Sequence, residues 1–261
     1  MSERSIAFDR AAEYYDATRG FTSEGIRVTT DALAAVFGDV HGRVLEVGVG
    51  TGQVALPLHE RGVVVAGIDL SRPMMLKLLE KAGGAAPFPL VEGDATRMPF
   101  PDDAFGGAYL RWVLHLIPDW RAAVREIVRV VHPGGSFLAA LGSYGGIRSE
   151  IQSRFSEVTG IAIEPAGLDW GGWRLLDEEI VGLGGTKLAD VVLHDEDRDD
   201  METFVRGIEE NRYSWTWAVP DDDLRDRAAA ESRRWAEERL GPLDAVPRER
   251  FEWSFAHYRL A

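Results

Sequence analysis

Continuous apolar runs and helix-period stretches alternate through the first half of the chain. Val44, Leu45 and Val47 form one short run; Val63, Val64, Val65 and Ile68 form a second. Phe88–Glu92 and Ser136–Leu141 give two more, with the β-branched and aliphatic character of strands buried on both faces. Between them, apolar residues fall at helical spacing: Val54, Ala55 and Leu58, then Met74, Leu78 and Leu79. Trp120, Ala123, Val124, Ile127, Val128 and Val131 follow at i, i+3, i+4, i+7, i+8 and i+11, predicting an amphipathic helix capped by Asp119 and stopped by Pro133-Gly134-Gly135. A strand is expected from Phe105, although Gly106 and Gly107 weaken its start. Strands alternating with helices predict an α/β fold with a doubly wound, Rossmann-like parallel sheet.

The pattern loosens after Leu141. Helices are expected at Gly146–Thr159, near Asp177–Gly182, at Asp200–Arg212, and at Asp221–Leu240 between Pro220 and Gly241-Pro242. Leu188–His194 and the alternating FEWSFAHYRL segment read as two strands that pair antiparallel at the end of the sheet. Before the first strand, Ile6–Val36 reads as helical. One domain over 1–261 is expected: amino-terminal lid helices at 1–36, a core at 43–142, an inserted helical cap carrying the sixth strand at 145–217, and a last helix and strand at 221–261.

The first apolar run leads straight into Glu46-x-Gly48-x-Gly50-x-Gly52. Glycines leave no Cβ where a ligand or another backbone must come close, and a strand–loop–helix junction is where open α/β sheets bind ligands. A tight turn with no ligand is the plainer alternative. The second run ends in Asp69, which can accept both ribose hydroxyls of a nucleoside or cap the next helix. Ser71, with Pro73 in the first turn, is the better cap, which leaves Asp69 for a ligand. Gly93-Asp94-Ala95 and Met98-Pro99-Phe100 follow the third strand.

The spacing departs from the G-x-G-x-x-G of dinucleotide enzymes. Taken in order, the glycine loop, Asp69, Gly93-Asp94-Ala95 and the His115-Leu-Ile-Pro-Asp-Trp120 to His132-Pro-Gly-Gly135 region resemble class I S-adenosylmethionine (SAM)-dependent methyltransferases. They are most similar to the small-molecule type related to quinone-biosynthesis C-methyltransferases. The resemblance covers about residues 8–142 and implies a seven-stranded sheet with strand 7 antiparallel. It also implies SAM as cofactor and S-adenosylhomocysteine (SAH) as product. Cofactor contacts are implied from Glu46, Gly48, Gly50, Thr51 and Gln53, from Asp69, Leu70 and Met74, from Asp94 and Ala95, and from Arg111. Tyr15-Asp16-Ala17-Thr18-Arg19 is similar to a lid segment in which Tyr15 and Arg19 reach the methionine carboxylate.

Chemistry on the acceptor is less legible. Arg111 and His115 fall at or just beyond the end of the fourth strand, where an acceptor would meet the methyl group. His115 is the candidate base, since imidazole titrates near neutrality; a structural histidine is the alternative. Arg111 could anchor an acidic substrate or pair with a carboxylate. Trp170, Trp173, Trp215 and Trp217 lie in the cap and could wall an apolar or aromatic acceptor, or simply pack the core.

A net charge of −14 argues against a nucleic-acid partner. The chain has no cysteine and no catechol-type carboxylate set, so no metal is expected. No signal-like or membrane-spanning run occurs, so a cytoplasmic protein with no membrane partner is expected. A SAM-binding protein without transferase activity, and a nicotinamide enzyme, are the alternative readings. The oligomeric state is not readable.

Overall fold

The computed structural model of the chain describes residues 5–18, 22–141, 146–169, 171–196 and 199–261. Its helices are α1 (Tyr15–Thr18), α2 (Ser23–Phe37), α3 (Ala55–Glu60), α4 (Arg72–Lys81), α5 (Trp120–Val130), α6 (Gly146–Thr159), α7 (Trp173–Gly182), α8 (Met201–Glu209) and α9 (Asp222–Leu240). Its strands are β1 (Val44–Val47), β2 (Val65–Asp69), β3 (Leu90–Glu92), β4 (Phe105–Arg111), β5 (Val131–Ala140), β6 (Thr186–Lys187), β7 (Val191–Glu196) and β8 (Arg250–Arg259).

The sheet runs β3-β2-β1-β4-β5-β8-β6, with β7 also paired to β8. β1 to β5 are mutually parallel, and β8 runs antiparallel to β5, β6 and β7. The expected strand at Leu188–His194 is two pieces: Thr186–Lys187 opposite Arg259 and Tyr258, and Val191–Glu196 opposite Phe255 to Arg250. Together they occupy one place in the sheet, so seven strand positions hold eight strands.

Alternate residues of each central strand enter opposite faces. Leu45, Val47, Ala66, Ile68, Ala108 and Leu110 pack under α5 and α7. Val44, Val65, Tyr109, Leu138 and Ala140 pack under α2, α3 and α4 through Leu33, Phe37, Leu58 and Leu78. Burial on both faces is why these strands lack polar alternation. The cap has a core of its own, in which Ile151 and Phe155 of α6 meet Phe204 and Ile208 of α8, Ala228 and Ala229 of α9, and Tyr213 and Trp215.

Several expected boundaries move for identifiable reasons. Ile6–Val36 is not continuous helix: a 3₁₀ turn at Asp9–Ala11 and the single turn of α1 precede α2, which starts afresh where Thr22 accepts from Gly25 N. Gly106 and Gly107 do not weaken β4. A Cβ at Gly106 would lie 2.2 Å from the His41 carbonyl oxygen, so absence of a side chain lets β4 pass close under the α2–β1 connection. α5 ends one residue early, because Val131 is already extended and opens β5 (φ −92°, ψ 131°). Ser71, Asp119, Asp200 and Asp221 each cap the following helix through the side chain. Among the described residues, no helix is long and apolar enough to cross a membrane.

Candidate active site

A cavity of about 450 Å³ opens at the carboxyl ends of β1, β2 and β4, the size of a small-molecule site. Gly48 and Gly50 form its floor. Both have positive φ (76° and 50°), and a Cβ on Gly50 would sit 3.3 Å from Met74 Cε, inside the space the loop leaves clear. Gly48 N and Val49 N donate to the Ile68 carbonyl (2.8 and 3.1 Å), which ties the loop to the tip of β2.

Asp69, at that tip, lines the cavity, with Leu70 and Met74 beside it. The expectation that Ser71 would leave Asp69 free needs correction. Its Oδ2 accepts from Gly50 N (2.7 Å) and its Oδ1 from Ser71 N (2.8 Å), while Ser71 also caps α4. Burial pushes this carboxyl above its ordinary range against the pull of those N–H groups. Each oxygen keeps a lone pair for a ligand hydroxyl. Asp94 and Ala95 line the adjoining wall, and Asp94 Oδ1 accepts from Thr96 N (2.9 Å) and Thr96 Oγ1 (2.8 Å).

Three residues expected at the cofactor stand behind the cavity. Glu46 is buried and accepts from the Tyr109 hydroxyl (2.8 Å); burial pushes its carboxyl up to about 8. Thr51 and Gln53 instead donate to Asp16 Oδ1 (2.5 and 2.9 Å), and Lys81 Nζ reaches Asp16 Oδ2 at 2.7 Å. Asp16, which sequence reasoning passed over, therefore latches the amino-terminal segment to the glycine loop. Asp9 adds a second tie, accepting from Ser71 Oγ (2.6 Å), and Ile6 N donates to Leu116 O (3.0 Å). Phe8, Ala11, Ala12 and Met74 form a small core under this lid, with Tyr15 packed against it and lining the cavity. Arg19 lies outside the described residues.

Arg111, at the end of β4, lines the cavity and donates to Gln53 Oε1 (3.1 Å). Its guanidinium stacks 4.4 Å over the Trp112 ring. Trp112 was missed entirely. It holds φ at 57°, a rare conformation for a bulky residue, and turns the chain from β4 into the cavity wall. His115 lines the wall from the following 3₁₀ turn (Leu114–Leu116). The cap loop is stitched to that turn: Gly167 N donates to the His115 carbonyl (2.9 Å) and Leu168 N to that of Leu114 (3.0 Å). Of the cap tryptophans, Trp215 lines the cavity. Trp173 packs on the sheet core, and Trp217 packs against Phe8 (ring centroids 5.4 Å apart) with its N–H on the Asn211 carbonyl. Trp170 lies outside the described residues. No cluster of metal-ligating side chains occurs among the described residues.

Residues 45–139 match the family model described as a methyltransferase domain. The chain carries a class I SAM-dependent methyltransferase domain. It is 38% identical over 124 residues to a phosphatidylethanolamine N-methyltransferase of Cereibacter sphaeroides, covering 46% of this chain and 59% of that one. It is 36% identical over 133 residues to a demethylmenaquinone methyltransferase of Mycolicibacterium paratuberculosis, covering 49% and 54%. The chain thus spans little more than half the length of these curated relatives. The crystal structure of the [4+2]-cyclase SpnF superposes with a TM-score of 0.56 at 22% identity, covering 93% of this chain and 83% of that one, a likeness of fold.

Proposed function

We infer that the chain transfers a methyl group from SAM to a small, largely apolar acceptor bound between the end of β4 and the cap. The observation that carries this reading is the juxtaposition, in one cavity, of Gly50, Asp69 and Asp94 on one wall with Trp112, His115 and Trp215 on the other. The match to a methyltransferase domain supports it.

SAM, when bound, supplies a methyl group on a sulfonium, and the leaving group is neutral SAH. The glycine floor lets the backbone approach the cofactor, Asp69 would accept from its ribose, and Asp94 with the Ala95 N–H would hold its adenine. Leu70 and Met74 would wall the nucleoside, while Tyr15, on the lid, would close over its methionine end with Arg19. Arg111 would orient that end from the opposite side. The apolar cap wall excludes water, and orientation with desolvation supplies much of the rate enhancement for an in-line displacement. Where the acceptor must lose a proton, His115 is the group placed to take it.

Calorimetry tests the cofactor half. SAH binds, NAD does not, and Asp69→Ala weakens SAH by roughly 1.5–3 kcal/mol, the range for hydrogen bonds to a charged group. Heat from NAD with none from SAH overturns the reading. Conversion of SAM to SAH only in the presence of an acceptor separates a transferase from a protein that merely binds SAM.

A further inference from the structure

The acceptor half of the cavity is built from segments outside the matched residues 45–139, so its selectivity belongs to this chain's own cap. Ile163, Pro165 and Ala166 supply an apolar wall, and the Gly167 and Leu168 backbone bonds to the 114–115 turn hold that wall in place. Trp215 completes it. The ring of Trp215 lies parallel to that of Tyr213 (centroids 5.5 Å, planes 4° apart) and meets Phe155 edge-on at 5.2 Å, so its orientation is fixed from two sides. The residue is 8% exposed, and its indole N–H is buried with no hydrogen-bond partner in the protein.

An orphaned donor in a packed site costs stability unless something satisfies it. The other buried side-chain donors here are mostly paired at their own elements, as Trp217 is with the Asn211 carbonyl. On the proposed reading of the cavity, the partner for Trp215 is the acceptor molecule. Among the described residues, the lid and cap contribute one charged side chain to the wall, Glu164, and no cation. An anionic headgroup would find nothing there to neutralise it, and a carboxylate would repel it.

We propose that Trp215 determines acceptor specificity, its indole N–H donating to an oxygen of an uncharged, largely apolar acceptor. Rejection of an analogue lacking that oxygen follows, because a site with a buried donor leaves it unpaired when the oxygen is gone.

The test uses the full chain saturated with SAH and three probes: 1-tetralone, tetralin, which lacks the oxygen, and 1-naphthoate, which is anionic. Affinities are read by ligand-detected NMR. Tetralone binds about tenfold more tightly than tetralin, on the scale of one satisfied buried hydrogen bond, and naphthoate binds more weakly than tetralone. Trp215→Phe keeps an aromatic wall, abolishes the preference for tetralone, and leaves SAH and tetralin affinities unchanged. In wild-type protein labelled with ¹⁵N-tryptophan, tetralone moves the Trp215 indole resonance, assigned through its contacts to Tyr213, and tetralin does not; this readout stands even if the variant does not fold. Equal binding of tetralone and tetralin, a preference that survives in Trp215→Phe, an unmoved resonance, or no binding of any probe overturns the proposal. Failure of SAH to bind in the same samples overturns the methyltransferase reading of the cavity instead.

Discussion

Replacing Glu46 by Gln tests the electrostatics beneath the glycine loop. The amide is nearly isosteric and can still accept from the Tyr109 hydroxyl, now 2.8 Å from Glu46 Oε2, but it never ionises. Burial is the main cause of the raised carboxyl, opposed by Tyr109 and by the charge of Arg111. Moving from the ordinary 4.5 to about 8 corresponds to roughly 5 kcal/mol in favour of the protonated form in the folded chain. The sign follows from proton counting. Below pH 4.5 folded and unfolded chains both hold the proton, and Glu46 contributes no pH dependence. Between 4.5 and 8 the unfolded chain has released it while the folded chain retains it, so wild-type stability falls as pH rises, and the loss is complete above about 8. Urea unfolding at pH 5, 7 and 9 therefore shows Glu46→Gln about as stable as wild type at pH 5 and more stable by several kcal/mol at pH 9. The slope against denaturant should stay the same. Parallel stability curves for the two proteins across this range would refute the argument.

Asp16→Asn weakens the latch on Thr51, Gln53 and Lys81; at a half-exposed site the loss is about 1 kcal/mol, read as faster hydrogen exchange over residues 8–18 and slowed again by SAH. Gly167→Ala would place a Cβ 2.1 Å from the Ile117 carbonyl oxygen and 2.2 Å from that of Leu114, costing at least ~2 kcal/mol and lowering the melting temperature by roughly 4–8 °C in calorimetric scans. His115→Gln leaves SAH affinity intact and lowers turnover by about 10²-fold if the acceptor loses a proton to this ring; wild-type turnover across pH 6–9 would remove His115 from the chemistry.

Local signals were the legible ones. The Glu46 to Gly52 loop, Asp69 at the end of β2 and Gly93-Asp94-Ala95 lie within single strand–turn–helix units, where spacing and backbone requirement coincide, and the structure brings all three segments to one cavity or its floor. Asp16 was opaque because its partners Thr51, Gln53 and Lys81 lie on other elements, and an acidic residue on a short helix is ordinarily solvated. Trp112 was hidden because a positive φ at a bulky residue leaves no trace in composition. Gly106 misled for the opposite reason: its low strand propensity is outweighed by the need to pass His41. In the cap, Trp173, Trp215 and Trp217 look alike in sequence, and only tertiary packing separates the one on the cavity wall from the two in cores.

β8 sits inside the sheet, between β5 and the pair β6 and β7, although the entire cap is synthesised between β5 and β8. Until β8 emerges, β5 is an open edge carrying Phe137, Leu138, Ala139 and Ala140, all fully buried in the finished fold. The nascent chain thus carries a sticky border through the whole time its cap is being made, and closing it is a long-range, slow step. The separate core of the cap gives that interval something to do: α6, α8 and α9 can collapse on one another and shorten the loop that β8 must bridge.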